Sequence, residues 1–461
     1  MTLKIINPRK LLTSNRMDLI SKIYLAKKIL NKKNKLYEET QYLETIKYIN
    51  YFVEKDKKNK VGKKKFLKDF NSIINSIKKK GFSKKFPLLV DKKTKTLVDG
   101  AHRLSAAIAL NLRKVYYINV NKGVINLGYK DFINRLIPYN YIENIAYKFC
   151  LLDKNTRFIF LWPNVNFEKN ESFLIRNINK FGHIIYKKKI LLTDRGKINL
   201  IKNIYKKEKW VLRDNNNNFG ILNKSFNCFK DKNYFNLFII KKRGNLSKLK
   251  NNLRNKFGFG KHSLHTNDKY HETVELAQIL LNQNSLHNLN YRIENKFSWH
   301  QKLHNEFKKW IKLNNYSIED FCIEGSSVLS AYGLRSSRDI DYLSNYDIKK
   351  KLKYKEISDS SLENKKYFRN IADLINNPIN YFYYEGLKYL NLKNIKLKKN
   401  KRRELKDIQD LQLVDKLKNK TPDEFLYKLN FRDCLNLIFI KNLVKFFLLK
   451  LRFYYFKVFI S

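Results

Sequence analysis

Proline and glycine are scarce in this 461-residue chain, at 6 and 14 residues, which excludes collagen-like and Gly/Ser-linker architectures. The four cysteines, Cys150, Cys228, Cys322 and Cys434, show no CxxC spacing. Neither a disulfide framework nor a zinc knuckle is implied, and a reducing compartment is expected. The stretch from Met1 to Leu11 lacks the apolar core of a signal peptide, and no uncharged run approaches the roughly 20 residues of a spanning helix. A cytoplasmic protein is therefore expected, free or peripheral at the inner face of the membrane. Acid is the remaining shortage: 41 Asp+Glu against 96 Lys+Arg leave a formal charge of +55.

What is present suffices for folding. An apolar content of 43%, with 14% aromatic residues, fills several cores, and roughly 100 to 200 residues per domain predict two to four domains. The charge admits two origins. One is a polyanionic partner, whether nucleic acid, anionic membrane or phosphorylated substrate. The other is the drift of an AT-rich genome, since Lys far outnumbers Arg and Asn, Ile, Phe and Tyr abound.

The pattern predicts a mixed α/β, multidomain chain. Residues 1–80 read as a helical segment, with Leu19, Ile23 and Leu25, then Phe66, Phe70, Ile73, Ile74 and Ile77, at helical spacing. Over 81–148 the order is strand, strand, helix, strand: Leu88 to Val90, Thr96 to Val98, His102 to Leu112, Val115 to Val120. A central α/β unit of no assigned family spans 150–292, with strands at Phe158 to Leu161, Ile184 to Tyr186 and Phe235 to Ile240, interrupted by a tetra-Asn loop at 215–218. A third unit spans 293–420, and a basic aromatic tail 421–461.

In the third unit, Ile323-Glu324-Gly325-Ser326-Ser327 leads through a helix-compatible stretch to Arg338-Asp339-Ile340-Asp341. Residues two apart on a strand share a face, so Asp339 and Asp341 point the same way. Like charges that close call for a cation, and hard oxygens suit Mg²⁺, which also bridges phosphates; a helix opening after Gly325-Ser326 offers N–H groups to a phosphate. The plain alternative is a pair of solvated carboxylates, or carboxylates paired with Arg335 or Arg338. Gly-Ser followed by Asp-x-Asp resembles the core of the polymerase-beta type nucleotidyltransferase superfamily. The run with Lys398, Arg402, Glu404, Lys406, Asp407 and Asp410 is similar to the helix that follows this core in minimal and toxin-type members. The resemblance covers about Trp299 to Leu413. It implies a mixed sheet with helices, Asp339 and Asp341 as catalytic metal ligands, and Gly325, Ser326, Arg338, Lys398 and Lys406 around nucleotide phosphates. It also implies a third carboxylate on a later strand, for which Glu385 after Ile379 to Tyr384 is the available residue.

Near the N-terminus, Leu97-Val98-Asp99-Gly100-Ala101-His102-Arg103 puts a Gly turn after a strand, with His and Arg opening an Ala-rich helix. Dipole, backbone donors and a guanidinium converge there, as in a phosphate clamp; the alternative is capping and pairing with Asp99. The motif resembles the ParB/sulfiredoxin-like fold over about Phe86 to Val120, which implies Gly100, His102 and Arg103 as phosphate ligands. Sulfiredoxins carry a cysteine before the histidine; Ala101 stands here, which excludes sulfinate reduction.

Three of eight histidines fall within Lys261-His262-Ser263-Leu264-His265-Thr266-Asn267-Asp268-Lys269-Tyr270-His271. His262, His265 and Asp268 form either a functional loop with an imidazole base or phosphate ligand, or a set of satisfied structural groups. His300 and His304 share a helix face and read as surface or packing residues.

The segment order, from Asn7-Pro8-Arg9-Lys10-Leu11-Leu12-Thr13 through the two motifs above, resembles sugar transferases of bacterial surface-polysaccharide loci, some of which are thought to move a phosphoramidate group from a cytidine nucleotide. Within the tail, residues 436–461 interleave Lys441, Lys445, Lys450, Arg452 and Lys457 with aromatics, fitting a helix on an anionic membrane or a core helix. These features together predict a Mg²⁺-dependent nucleotidyl- or phosphoryl-type transferase. Its donor is a nucleoside triphosphate or CDP-linked compound and its acceptor a surface-polysaccharide sugar. The competing reading is a nucleic-acid-binding, regulatory ParB-like protein with a non-catalytic nucleotidyltransferase fold.

Overall fold

The computed structural model describes residues 2–54, 60–123, 125–212, 219–294, 296–346, 348 and 354–417. The expected tetra-Asn loop and the tail from 421 lie outside the described residues. The chain is mixed α/β, and its described residues fall into two compact units, one ending at Asp153 and one beginning at Lys154.

The first unit opens with strand β1 (Lys4–Ile6) and the helices Asp18–Leu30, Leu36–Asn50 and Lys63–Lys80. Phe66, Phe70, Ile74 and Ile77 are the buried residues of the last of these. They recur at three- and four-residue intervals and so make one apolar stripe. Lys78, Lys79 and Lys80 close it, where cations suit the helix dipole. Strands β2 (Leu88–Asp91), β3 (Leu97–Asp99) and β4 (Val115–Val120) follow, with sheet order β1-β4-β2-β3. β2 pairs β3 antiparallel and β4 parallel; the crossover is the helix Ala101–Ala109. Ala106 and Ala109 bring that helix close to Leu25, Tyr42, Phe66 and Phe70 in one core, so the opening helices and the crossover helix share their interior. At its base Asp18 accepts from Arg16 at 2.8 Å and Lys22 at 2.9 Å. Burial pushes its carboxyl up, but the two cations hold it well below the usual range.

In the second unit, strands β5 (Thr156–Leu161), β6 (Gly182–Leu191), β7 (Tyr234–Lys242) and β8 (Leu264–Thr266) form an antiparallel sheet of order β6-β7-β5-β8. β6 runs ten residues, well beyond the expected Ile184 to Tyr186. The run Lys187-Lys188-Lys189 hides its alternation; on this edge strand Lys187 and Lys189 hold their ammonium groups over the rings of Phe167 and Tyr234.

A second sheet comprises β9 (Phe321–Glu324), β10 (Ile340–Ser344), β11 (Ile357–Asp359), β12 (Tyr381–Tyr384) and β13 (Leu387–Leu390), in the order β11-β10-β9-β13-β12. β10 is antiparallel to β9 and parallel to β11. The helices Leu392–Arg402 and Leu405–Asp415 follow β13. Among the described residues, no helix is long and apolar enough to cross a membrane.

Candidate functional site

Strand β9 ends in a glycine for a steric reason. Gly325 has φ +67°, a region L side chains disfavour, and a Cβ there would stand 3.3 Å from Asp341 Oδ2. The turn feeds the short helix Ser327–Ala331, and the chain returns as β10 with Asp341 paired to Glu324. Ser327 Oγ donates to the Asp339 carbonyl at 2.7 Å, fixing the entry to β10. Asp339 is exposed and Asp341 half-buried. Ser326 Oγ lies 3.5 Å from Asp339 Oδ1, and Ser358 Oγ donates to Asp341 Oδ1 at 2.9 Å.

Neither Asp339 nor Asp341 joins an ion pair among the described residues. Burial raises the Asp341 carboxyl above its usual range; Asp339 and Glu324 push the same way, and Ser358 and Lys398 oppose them. No group of three or more His, Cys, Asp or Glu gathers for a metal among the described residues. Asp339 precedes β10, so the expected alternation on one strand does not relate the pair, but both carboxylates line one cleft, a donor set that fits a hard cation taking its other oxygens from phosphate or water.

The opposite wall comes from the two helices after β13, and its charges are mostly paired. Lys398 Nζ lies 2.7 and 2.9 Å from the two oxygens of Glu324, which is fully buried and also accepts from Ser360 and Asn364, each at 2.9 Å. Lys399 binds Asp407 at 2.9 Å and Asp410 at 2.6 Å. Arg402 holds Asp407 at 2.8 and 2.7 Å, and Arg335 donates to Asp410 at 2.8 Å. Burial raises the Asp407 carboxyl, but Arg402 and Lys399 hold it well below the usual range. Lys406 is exposed and pairs with Glu404 at 2.9 Å. Arg338 is exposed and joins no ion pair among the described residues.

Gly325, Ser326, Arg338, Asp339, Asp341, Lys398 and Lys406, all singled out from sequence, line one cleft of about 740 Å³ with Arg402 and Asp410. Lys398 differs from expectation in being committed to Glu324. Glu385 sits in the β12–β13 turn at φ +46°, its carbonyl accepting from Lys308 at 2.6 Å. β9 and β13 separate its strand from β10. In register with Asp341 stand Glu324 on β9, already bound by Lys398, and Ser358 on β11, a hydroxyl rather than an acid. Sequence reasoning passed over Glu324, although an acid closing the apolar strand Phe-Cys-Ile-Glu is itself a signal, because acids are almost never buried unpaired.

The Asp99–Arg103 turn brings Gly100, His102 and Arg103 together at the helix start, with Gly100 at φ +95°. Arg103 donates to the Phe86 carbonyl at 2.6 Å, the Pro87 carbonyl at 3.2 Å and Asp99 at 3.2 Å. His102 Nε2 lies 2.9 Å from the Tyr42 hydroxyl and packs edge-on against Phe70. Both groups described as phosphate ligands thus have protein partners.

The histidine cluster divides between two environments. His265 is half-buried in β8, its Nδ1 3.3 Å from the Tyr205 hydroxyl, and burial lowers its pKa to about 3. His262 Nδ1 lies 3.4 Å from Lys224 Nζ and 3.8 Å from Cys228 Sγ; burial, then Lys224, depress its pKa. Burial lifts the Cys228 thiol to about 11, so it stays protonated. Asp268 pairs with Lys250 at 3.1 Å. His300 and His304 are buried, and both approach the Tyr389 hydroxyl, at 3.4 and 2.7 Å.

Compared with known proteins, the chain matches no protein-family model, no curated protein and no solved structure.

Proposed function

We propose that this cleft binds a nucleotide by its phosphates and transfers a nucleotidyl or phosphoryl-type group in the manner of the nucleotidyltransferase superfamily. One observation carries the reading. The other acids lining or backing the cleft, Glu324, Asp407 and Asp410, have cations, whereas Asp339 and Asp341 have none and face open volume. Two neighbouring carboxylates left unneutralised cost stability unless a bound cation uses them.

Asp339 and Asp341 would hold a Mg²⁺ ion, which would neutralise phosphate charge. Around it, the Ser326 hydroxyl and the first amides of the following turn donate to phosphate oxygens. Arg338, free of acids, and Lys406 at the rim offset charge that develops on the transferred group. Lys398, paired with Glu324, is a fixed part of the back wall rather than a free cation for the phosphates. The donor is a nucleoside triphosphate or a CDP-linked compound, and the acceptor a sugar of a surface polysaccharide; the order of motifs along the chain supports that acceptor. The nucleic-acid-binding alternative has only the +55 charge in its favour.

The test is a thermal-shift series with nucleoside triphosphates and CDP-linked compounds, with and without Mg²⁺. The expected result is stabilisation that requires the ion and vanishes in Asp339→Asn/Asp341→Asn. Stabilisation by no nucleotide, or equal stabilisation of the double variant, rejects the proposal.

A further inference from the structure

Where the chain enters strand β8, two cations and an imidazole meet without an acid. Lys224, on the helix Phe219–Phe229, donates to the Lys261 carbonyl at 3.2 Å and lies 3.4 Å from His262 Nδ1. Its ammonium also stands 5.6 Å from the ring of Tyr205, whose hydroxyl reaches His265 Nδ1 at 3.3 Å. Arg254, on the helix Leu246–Phe257, donates to the Leu264 carbonyl at 3.3 Å. The segment His262-Ser263-Leu264 is thus held by a lysine at one end and an arginine at the other.

The charge of this cluster is unopposed. Lys224, Arg254 and His262 are half-buried, and neither cation joins an ion pair among the described residues. Burial lowers the Lys224 pKa, and Arg254 and Lys261 push the same way against the nearby Cys228 thiol. The acids that act on the adjoining Tyr205 and His265 are Glu208, which is exposed, and Asp268, which Lys250 holds at 3.1 Å. Cations taken partly out of water without a counter-charge are costly unless an anion joins them.

The hydrogen-bonding groups point to the same kind of ligand. Arg254 Nε and Ser263 Oγ are buried without a partner among the described residues. An ammonium can only donate, so His262 Nδ1 accepts from Lys224 and the ring hydrogen stands on Nε2. Guanidinium, ammonium and imidazole N–H groups are all donors, and such a set suits an oxyanion with three or four acceptor oxygens better than a carboxylate with two. We propose that Lys224, Arg254 and His262 bind a phosphate group, either inorganic or carried by a small ester. This site shares no residue with the cleft around Asp339 and Asp341 and rests on none of its chemistry.

The full-length chain is melted in chloride and, at matched ionic strength and without Mg²⁺, in about 20 mM inorganic phosphate or glycerol phosphate. A rise of at least about 2 °C over chloride is expected, and the larger of the two shifts identifies the source. The rise should survive in Asp339→Asn/Asp341→Asn and vanish in Lys224→Met/Arg254→Met. Independently of any variant, the native chain is treated with limiting acetic anhydride and its lysines are compared by mass spectrometry. Phosphate should slow acetylation of Lys224 at least about threefold and leave exposed Lys230 unchanged. No rise over chloride, a rise that persists in Lys224→Met/Arg254→Met, or a Lys224 acetylated as fast with phosphate as without it overturns the proposal. So does a rise lost in Asp339→Asn/Asp341→Asn, which places the phosphate in the cleft instead. If Lys224→Met/Arg254→Met does not fold, the acetylation of the native chain decides.

Discussion

Glu324 and Asp341 face one another across neighbouring antiparallel strands, yet only Glu324 has a cation, the Lys398 ammonium at 2.7 Å. The two carboxylates share a strand register and differ in what the helix Leu392–Arg402 supplies to each. One is part of the fold's interior and the other lines the cleft.

Asp341→Asn is expected to raise the melting temperature by about 1–3 °C while abolishing the Mg²⁺-dependent nucleotide shift. Burial, together with the neighbouring Asp339 and Glu324 charges, disfavours the carboxylate, and an amide removes that penalty. The Ser358 hydroxyl can rotate to suit either group. A melting temperature that falls instead shows that the charge is satisfied within the protein.

Lys398→Met and Glu324→Gln are each expected to cost about 3–5 kcal/mol, since either leaves a buried charge without its partner. The combined variant should recover much of that loss, and urea unfolding of all four proteins gives the coupling energy. Additive losses contradict a direct pair.

Stability should fall on mild acidification. Burial sets the pKa of His287 and His300 at about 4 and of His265 and His304 at about 3, against about 6.5 in an unfolded chain. Between those values the unfolded chain binds more protons, so unfolding free energy is retained above about pH 6.5 and declines as pH drops toward 4. Urea midpoints at pH 7 and pH 5 measure this, and His304→Gln should flatten the slope. A midpoint indifferent to pH rejects the account.

Gly100→Ala should destabilise the first unit by about 2–4 kcal/mol. The position has φ +95°, and an added Cβ meets Leu88 Cδ2 at 2.5 Å. Denaturant unfolding followed by circular dichroism reads the loss; a change under 1 kcal/mol, about the value of an ordinary surface substitution, contradicts it.

Local features were legible in the sequence, and long-range pairing was not. Strand, turn, helix and strand around Gly325 and Asp341 follow from spacing within seventeen residues. The basic helix with Lys398 was visible as a source of cations. Its commitment to Glu324, 74 positions away, has no local signature, and neither has the arrival of Ser358 beside Asp341. Strand β6 was read short because its lysines interrupt the apolar pattern that marks a strand. His300 and His304 gave no sign of deep burial, because an imidazole facing two tyrosines looks in sequence like any histidine on a helix.

The missing side chain at Gly325 also leaves a close clearance in the wall of the cleft. A single methyl group there stands 3.3 Å from Asp341 Oδ2 and strains a backbone at φ +67°. One position therefore serves both the turn that joins β9 to the following helix and the clearance in front of Asp341, so a change there acts on scaffold and cleft together.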